Sequence, residues 1–276
     1  MLPLSKSCNV VMFVLLFVLC VIGSSGKPSF PFHLPTIGVF GQQQSGESPI
    51  LLKNYTGKRI DNNSIRMVYF NDQTVAVVEL GPNKLLLNCE LIEIVEQNQL
   101  FEVLGELKAH ARPVGISFME MVTLMGQCKQ LEERRTIKNR ELLKNDTLAA
   151  SQGRKLSNPF TLLSGIIPGT KWCGTGDIAK DYYDLGIEKI VDTCCRAHDL
   201  CPVKIRAYSK KYNLTNNSLY TKSHCKCDDD LYNCLKKANS SNTAQLMGNI
   251  YFNLVQVPCL EDTKEGRTFR NARNNF

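Results

Sequence analysis

The sequence predicts an α-rich module stapled by disulfides. It comprises two antiparallel helices, a glycine loop and a small β element, preceded by a small α+β amino-terminal region. Three observations predict this. Eight cysteines crowd between Cys173 and Cys259, whereas only Cys89 and Cys128 lie between residue 27 and that block. Within the block, Cys194 and Cys201 are seven residues apart, and so are Cys227 and Cys234. Upstream, β-branched residues alternate from Ile65 to Val95 and are broken by turn residues.

The chain opens with Lys6, an apolar run from Val10 to Ile22 and the small residues Gly23-Ser24-Ser25-Gly26. This layout predicts a secretory signal over residues 1–26. The run is shorter than the ~20 residues of a membrane-spanning helix. Secretion implies an oxidising, extracellular destination. Removing the signal removes Cys8 and Cys20 and leaves an even set for pairing. Sequons at Asn54, Asn62, Asn145, Asn213, Asn216 and Asn239 fit a secreted glycoprotein.

Residues 27–129 read as an amino-terminal region or propeptide. Ile65–Phe70, Thr74–Leu80 and Leu85–Val95 form a predicted three-strand meander, with turns at Asn71-Asp72-Gln73 and Gly81-Pro82-Asn83. Ser117 with Glu120 predicts a capping box. Phe118, Met121, Val122 and Met125 then form one apolar helix face, with Cys128 on the same face and placed to pair with Cys89. Residues 130–165 read as a charged linker with dibasic pairs at Arg134-Arg135 and Arg154-Lys155. The second pair is the expected site for a processing protease. Residues 264–276 read as a basic tail.

The chain carries 33 Lys plus Arg against 26 Asp plus Glu, yet residues 166–263 hold 12 against 11. A nearly neutral module lacks the clustered basic face of a nucleic-acid binder.

In the module, Asp192 is the expected N-cap of a helix that Pro202 ends. Cys194, His198 and Cys201 share one face of it, and Cys195 shares the next face with Asp199. A second helix is expected from His224 to Ala238. An antiparallel register pairs Cys194 with Cys234 and Cys201 with Cys227. It sets His198 opposite the acidic run Asp228-Asp229-Asp230 without choosing among the three. A histidine held against a carboxylate is an oriented general base. Zinc bound by these cysteines is disfavoured in a secreted chain. Trp172-Cys173-Gly174-Thr175-Gly176 is a loop whose glycines let carbonyls turn inward. Three carbonyls plus the Asp199 carboxylate would suit calcium, which takes oxygen ligands.

These motifs, with Cys225-Lys-Cys227-Asp228-Asp229 and Tyr251-Phe-Asn-Leu followed by Cys259, are similar to those of group III secreted phospholipases A2, the bee-venom type. The resemblance spans about Ile166 to Leu260. It implies one calcium ion held by carbonyls of Trp172, Gly174 and Gly176 and by Asp199. It makes His198 the base, with Asp228 and Tyr251 behind it. It also implies the pairs Cys173–Cys195, Cys194–Cys234, Cys201–Cys227 and Cys225–Cys259, and a catalytic domain over residues 166–263. The chain departs from the venom pattern in its long amino-terminal region and in having no cysteine after Cys259.

The implied activity is hydrolysis of the sn-2 acyl ester of glycerophospholipids at a membrane or micelle surface, by a monomer that binds no nucleic acid. The products would be lysophospholipid and free fatty acid. No GxSxG elbow is present. The competing reading is a non-catalytic, phospholipase-like toxin or receptor-binding protein. A zymogen masked by its amino-terminal region is a third.

Overall fold

A computed structural model describes residues 55–146 and 165–276. The expected signal, the sequon at Asn54 and the dibasic pair Arg154-Lys155 lie outside the described residues. The described amino-terminal part contains β1 (Ile65–Asn71), β2 (Thr74–Leu80), β3 (Leu86–Glu93), α1 (Gln97–Leu107), β4 (Pro113–Gly115) and α2 (Phe118–Asp146). The meander of β1, β2 and β3 is antiparallel and gains β4, parallel to β1, giving the order β3-β2-β1-β4.

Both faces of this sheet are covered, which accounts for the burial of β2 along all but its last residue. Strand alternation sends Val75 and Val77 to one side, where Leu100, Val103 and Leu107 of α1 pack. It sends Ala76 and Val78 to the other, against Met121 and Met125 of α2 and Tyr182 and Leu200 further along the chain. The capping box forms as predicted: Ser117 N–H donates to Glu120 Oε2 at 2.7 Å, and Glu120 N–H to Ser117 Oγ at 3.3 Å. Cys128 on the apolar face of α2 is bonded to Cys89 on β3.

Helix α2 runs through Asp146, so the first part of the segment read as linker is helical. Side chains anchor it. Arg135, one of the dibasic pair Arg134-Arg135, donates to the Leu87 carbonyl and to Asn88 Oδ1. Glu132 pairs with Arg196, whose side chain is buried.

The second described part contains α3 (Lys189–Asp199), the short strands β5 (Lys204–Ile205), β6 (Lys210–Lys211), β7 (Leu214–Thr215) and β8 (Lys222–Ser223), then α4 (Cys225–Lys237), α5 (Asn242–Gly248), a wide π-helical turn (Asn249–Val255), β9 (Cys259–Thr263) and β10 (Gly266–Arg270). Cys194–Cys234 joins the middle of α3 to the last turn of α4, and Cys201–Cys227 joins the residue just past α3 to the first turn of α4. Cys225–Cys259 ties α4 to β9.

The stretch read as a basic tail is folded. β10 pairs with β9, and Phe276 stacks on Phe252 at 5.8 Å between ring centroids. Its arginines are matched by acids: Arg267 with Asp262, Arg270 with Glu261, and Arg273 with Asp229. Among the described residues no helix is long and apolar enough to cross a membrane.

Candidate active site and calcium loop

Asp192 corrects the expectation of an N-cap. Helix α3 starts at Lys189 with Glu188 as its cap, so Asp192 lies in the first turn. Its fully buried carboxylate accepts from the backbone N–H groups of Lys171, Trp172 and Gly186 at 2.7 to 3.0 Å. The residue caps the neighbouring glycine loop rather than its own helix. Cys173–Cys195 makes a second tether from that loop to α3, one helical turn before Asp199.

The loop needs its glycines. A Cβ on Gly174 would meet the Gly165 carbonyl oxygen at 2.2 Å, and Gly176 has a φ of 95° in the left-handed region. The Cys173 carbonyl accepts from Ile167 N–H at 2.8 Å.

His198 lies between the two disulfides that join α3 and α4. Its Nε2 is 2.7 Å from Oδ1 of Asp228, which is buried in the first turn of α4. A carboxylate only accepts, so Nε2 carries the proton and Nδ1 keeps its lone pair in the neutral ring. Tyr251 sits on the π turn. Its hydroxyl donates to Asp228 Oδ1 at 3.2 Å, and its ring meets the imidazole edge to face at 5.3 Å. Burial and the Asp228 charge push the tyrosine pKa well above its ordinary value, so the hydroxyl stays a donor. For His198, burial alone would lower the pKa, but the Asp199 and Asp228 carboxylates raise it to about 9 while no cation shares the Asp199 charge; a cation at Asp199 would offset that carboxylate and return the ring toward the neutral form a base requires.

Asp199 faces the other ring nitrogen, with Oδ1 3.9 Å from Nδ1. About a third of its side chain is exposed, yet Oδ2 is enclosed and has no hydrogen-bond partner among the described residues. Burial raises its pKa to about 6, against the lowering effect of His198 and Lys204. An enclosed, unpartnered carboxylate oxygen suits a hard cation. Among the described residues no three His, Cys, Asp or Glu side chains gather to hold a metal, so a cation at Asp199 would draw on backbone oxygens.

A sequence model of the phospholipase A2 family matches residues 166–263. Residues of the chain are 40% identical to the phospholipase A2 of Apis dorsata over 94 residues, which is 34% of this chain and 70% of the relative. They are 42% identical to that of Bombus pensylvanicus, again over 34% of this chain and 69% of the relative. They are 46% identical to phospholipase A2 isozymes of Heloderma suspectum over 35% and 66%.

The chain belongs to the phospholipase A2 family.

It is an enzyme of the phospholipase A2 type. The phospholipase A2 module brings together His198, Asp228 and Tyr251 by direct contact, and Asp199 beside His198. Trp172, Gly174 and Gly176 lie on the loop that the Cys173–Cys195 disulfide and the Asp192 carboxylate tie to α3. The geometry singles out Asp228 from the acidic run, since Asp229 and Asp230 instead pair with Arg273 and Lys226.

Two residues around the site carried no interpretable signal in the sequence. Lys204 is buried; its ammonium pairs with Glu93 and donates to the Asp199 carbonyl. Arg196 donates to the Tyr182 carbonyl while its guanidinium lies 3.9 Å over that ring.

Proposed function

We propose that the module is a secreted, calcium-dependent phospholipase A2 that hydrolyses the sn-2 acyl ester of glycerophospholipids, acting as a monomer on membrane or micelle surfaces. Residues 166–263 form the catalytic domain in this reading. The observation that carries it is the His198 ring, held through Nε2 by Asp228 at 2.7 Å, with Nδ1 3.9 Å from Oδ1 of Asp199.

His198 Nδ1 accepts a proton from water as the water oxygen bonds to the sn-2 carbonyl carbon. Asp228 and Tyr251 fix the ring while the imidazolium forms, and the Asp228 charge offsets its positive charge. The imidazolium then gives its proton to the leaving glycerol oxygen as the ester C–O bond breaks. Lysophospholipid and free fatty acid result, and His198 returns to its neutral form. Asp199 with the carbonyls of Trp172, Gly174 and Gly176 would hold the calcium ion. When bound, calcium supplies a Lewis acid that polarises the ester carbonyl and stabilises the oxyanion.

The test uses vesicles of phosphatidylcholine with different acyl chains at sn-1 and sn-2, with calcium or with a chelator. Release of the sn-2 acid only with calcium supports the assignment. Release of the sn-1 acid, or equal release under chelation, contradicts it.

A further inference from the structure

The amino-terminal region lies outside the segment matched to the family, yet the tip of its β1–β2 hairpin ends against the catalytic helix. Three consecutive residues at that tip each bond to the module. Asp72 pairs with Lys211 at 2.7 Å and accepts from the Tyr212 hydroxyl. Gln73 donates its backbone N–H to the Pro202 carbonyl at 3.1 Å and its amide to the Lys204 carbonyl at 2.8 Å. Thr74, fully buried, donates its hydroxyl to the Leu200 carbonyl at 2.7 Å.

The positions of those acceptors matter. The last carbonyls of an α-helix have no partner within the helix. Helix α3 ends at Asp199, with Leu200 as its cap. The Leu200 carbonyl takes its proton from Thr74. The Asp199 carbonyl takes one from Lys204, whose ammonium is held in turn by Glu93 on β3. The terminal carbonyls that follow His198 are therefore satisfied by the amino-terminal sheet, directly through Thr74 and through one lysine from Glu93. This end of the helix carries Asp199.

We infer that the amino-terminal hairpin is a positioning clamp for calcium: Thr74, with Gln73 and Glu93 in support, holds the carboxyl end of α3 so that Asp199 faces the glycine loop. The inference rests on the calcium reading given above. It makes the amino-terminal region a working part of the enzyme rather than a propeptide to be discarded.

The chain has a single tryptophan, Trp172, which lies in the loop, so its emission, calibrated against calorimetry, is the readout of calcium arrival without any hydrolysis. Thr74→Val keeps the side chain's shape and leaves the Leu200 carbonyl buried without a donor. The calcium concentration at half-maximal change in emission should rise roughly tenfold, equal to about 1.4 kcal/mol and within the range for an unsatisfied buried acceptor. Hydrolysis at saturating calcium should stay close to wild type, and Thr74→Ser should restore the calcium midpoint. If Thr74→Val does not fold, Glu93→Gln carries the test, with a smaller shift in the same direction.

An unchanged calcium midpoint in the folded variants overturns the clamp, even if their melting temperatures fall. A wild-type chain that hydrolyses phospholipid yet binds no calcium by calorimetry overturns the calcium reading and the clamp with it.

Discussion

The two regions are held together by different means. Between residues 55 and 146, one disulfide accompanies a four-stranded sheet whose faces each bury an aliphatic cluster. Between residues 165 and 276, four disulfides accompany helices and strands of two to five residues, and cysteines make up part of the main apolar cluster. A sheet covered on both sides gains stability by removing Val, Ile and Leu from water. The module instead gathers a carboxylate, an imidazole and a tyrosine hydroxyl between its two main helices, where aliphatic side chains would otherwise go. Its crosslinks keep that polar centre in place. The difference teaches that the staples lie where the chemistry does, while the amino-terminal region supplies a conventional core and a hairpin that reaches the site.

The largest effect is expected at the metal. Asp199→Asn should weaken calcium binding by more than the ~10–100-fold that loss of an outer-shell partner typically costs, and activity should fall with it. Calorimetry with calcium checks this; unchanged affinity would remove Asp199 from the ligand set.

Removing a disulfide from each region sharpens the contrast. Cys194–Cys234 and Cys89–Cys128 span 40 and 39 residues. Chain entropy therefore assigns each about 4 kcal/mol. Denaturant melts of the two double-serine variants should show similar losses. Activity measured on the folded fraction should fall much further without Cys194–Cys234, because that bond sets α3 against α4 and hence His198 against Asp228. Equal activity loss in both variants would break the comparison.

Leu107→Ala addresses the sheet core. Leu107 is 1% exposed in the cluster beneath α1. Its truncation should cost about 3 kcal/mol in a chemical melt, with calcium binding of the folded protein unchanged. A loss under about 1 kcal/mol would show that α1 packs loosely.

The smallest effect concerns acid. Burial would raise the Glu79 pKa, but the Ser64 hydroxyl and the N–H groups of Asp61 and Ile60 hold it below the usual carboxylate range. A group with a lowered folded pKa stabilises the fold above its unfolded value, about 4.3 for Glu. That stability disappears as pH falls through the folded value. The wild-type melting temperature should thus drop below about pH 4.3, and Glu79→Gln should flatten part of that drop. Parallel curves would show that Glu79 does not drive it.

Much of the site was legible because cysteine spacing is a geometric statement. Intervals of seven residues on two helices leave few ways to crosslink them, and His198 falls between the bonds. The strands from Ile65 to Glu93 and the Ser117 cap were legible because their signals are local. What the sequence concealed depends on distance along the chain. Gln73 meets Lys204 across 131 residues, and no local pattern encodes that. The extension of α2 past Gln130 was hidden because its apolar stripe fades there, and ion pairs such as Glu132–Arg196 replace it. Strand β4 is three residues long, too short for any alternation to appear. Asp192 was misread because a side chain at a helix start serves a neighbouring backbone as readily as its own.

The central claim is that His198 is the base that activates water. The direct measurement is the rate of sn-2 hydrolysis by purified His198→Gln at saturating calcium, with Trp172 emission confirming that calcium still binds. Glutamine keeps a hydrogen bond to Asp228 but cannot accept a proton near neutral pH. The rate should fall by at least ~10²–10⁴-fold at an unchanged calcium midpoint. A folded His198→Gln chain that hydrolyses at near wild-type rate would contradict the account and require a different base.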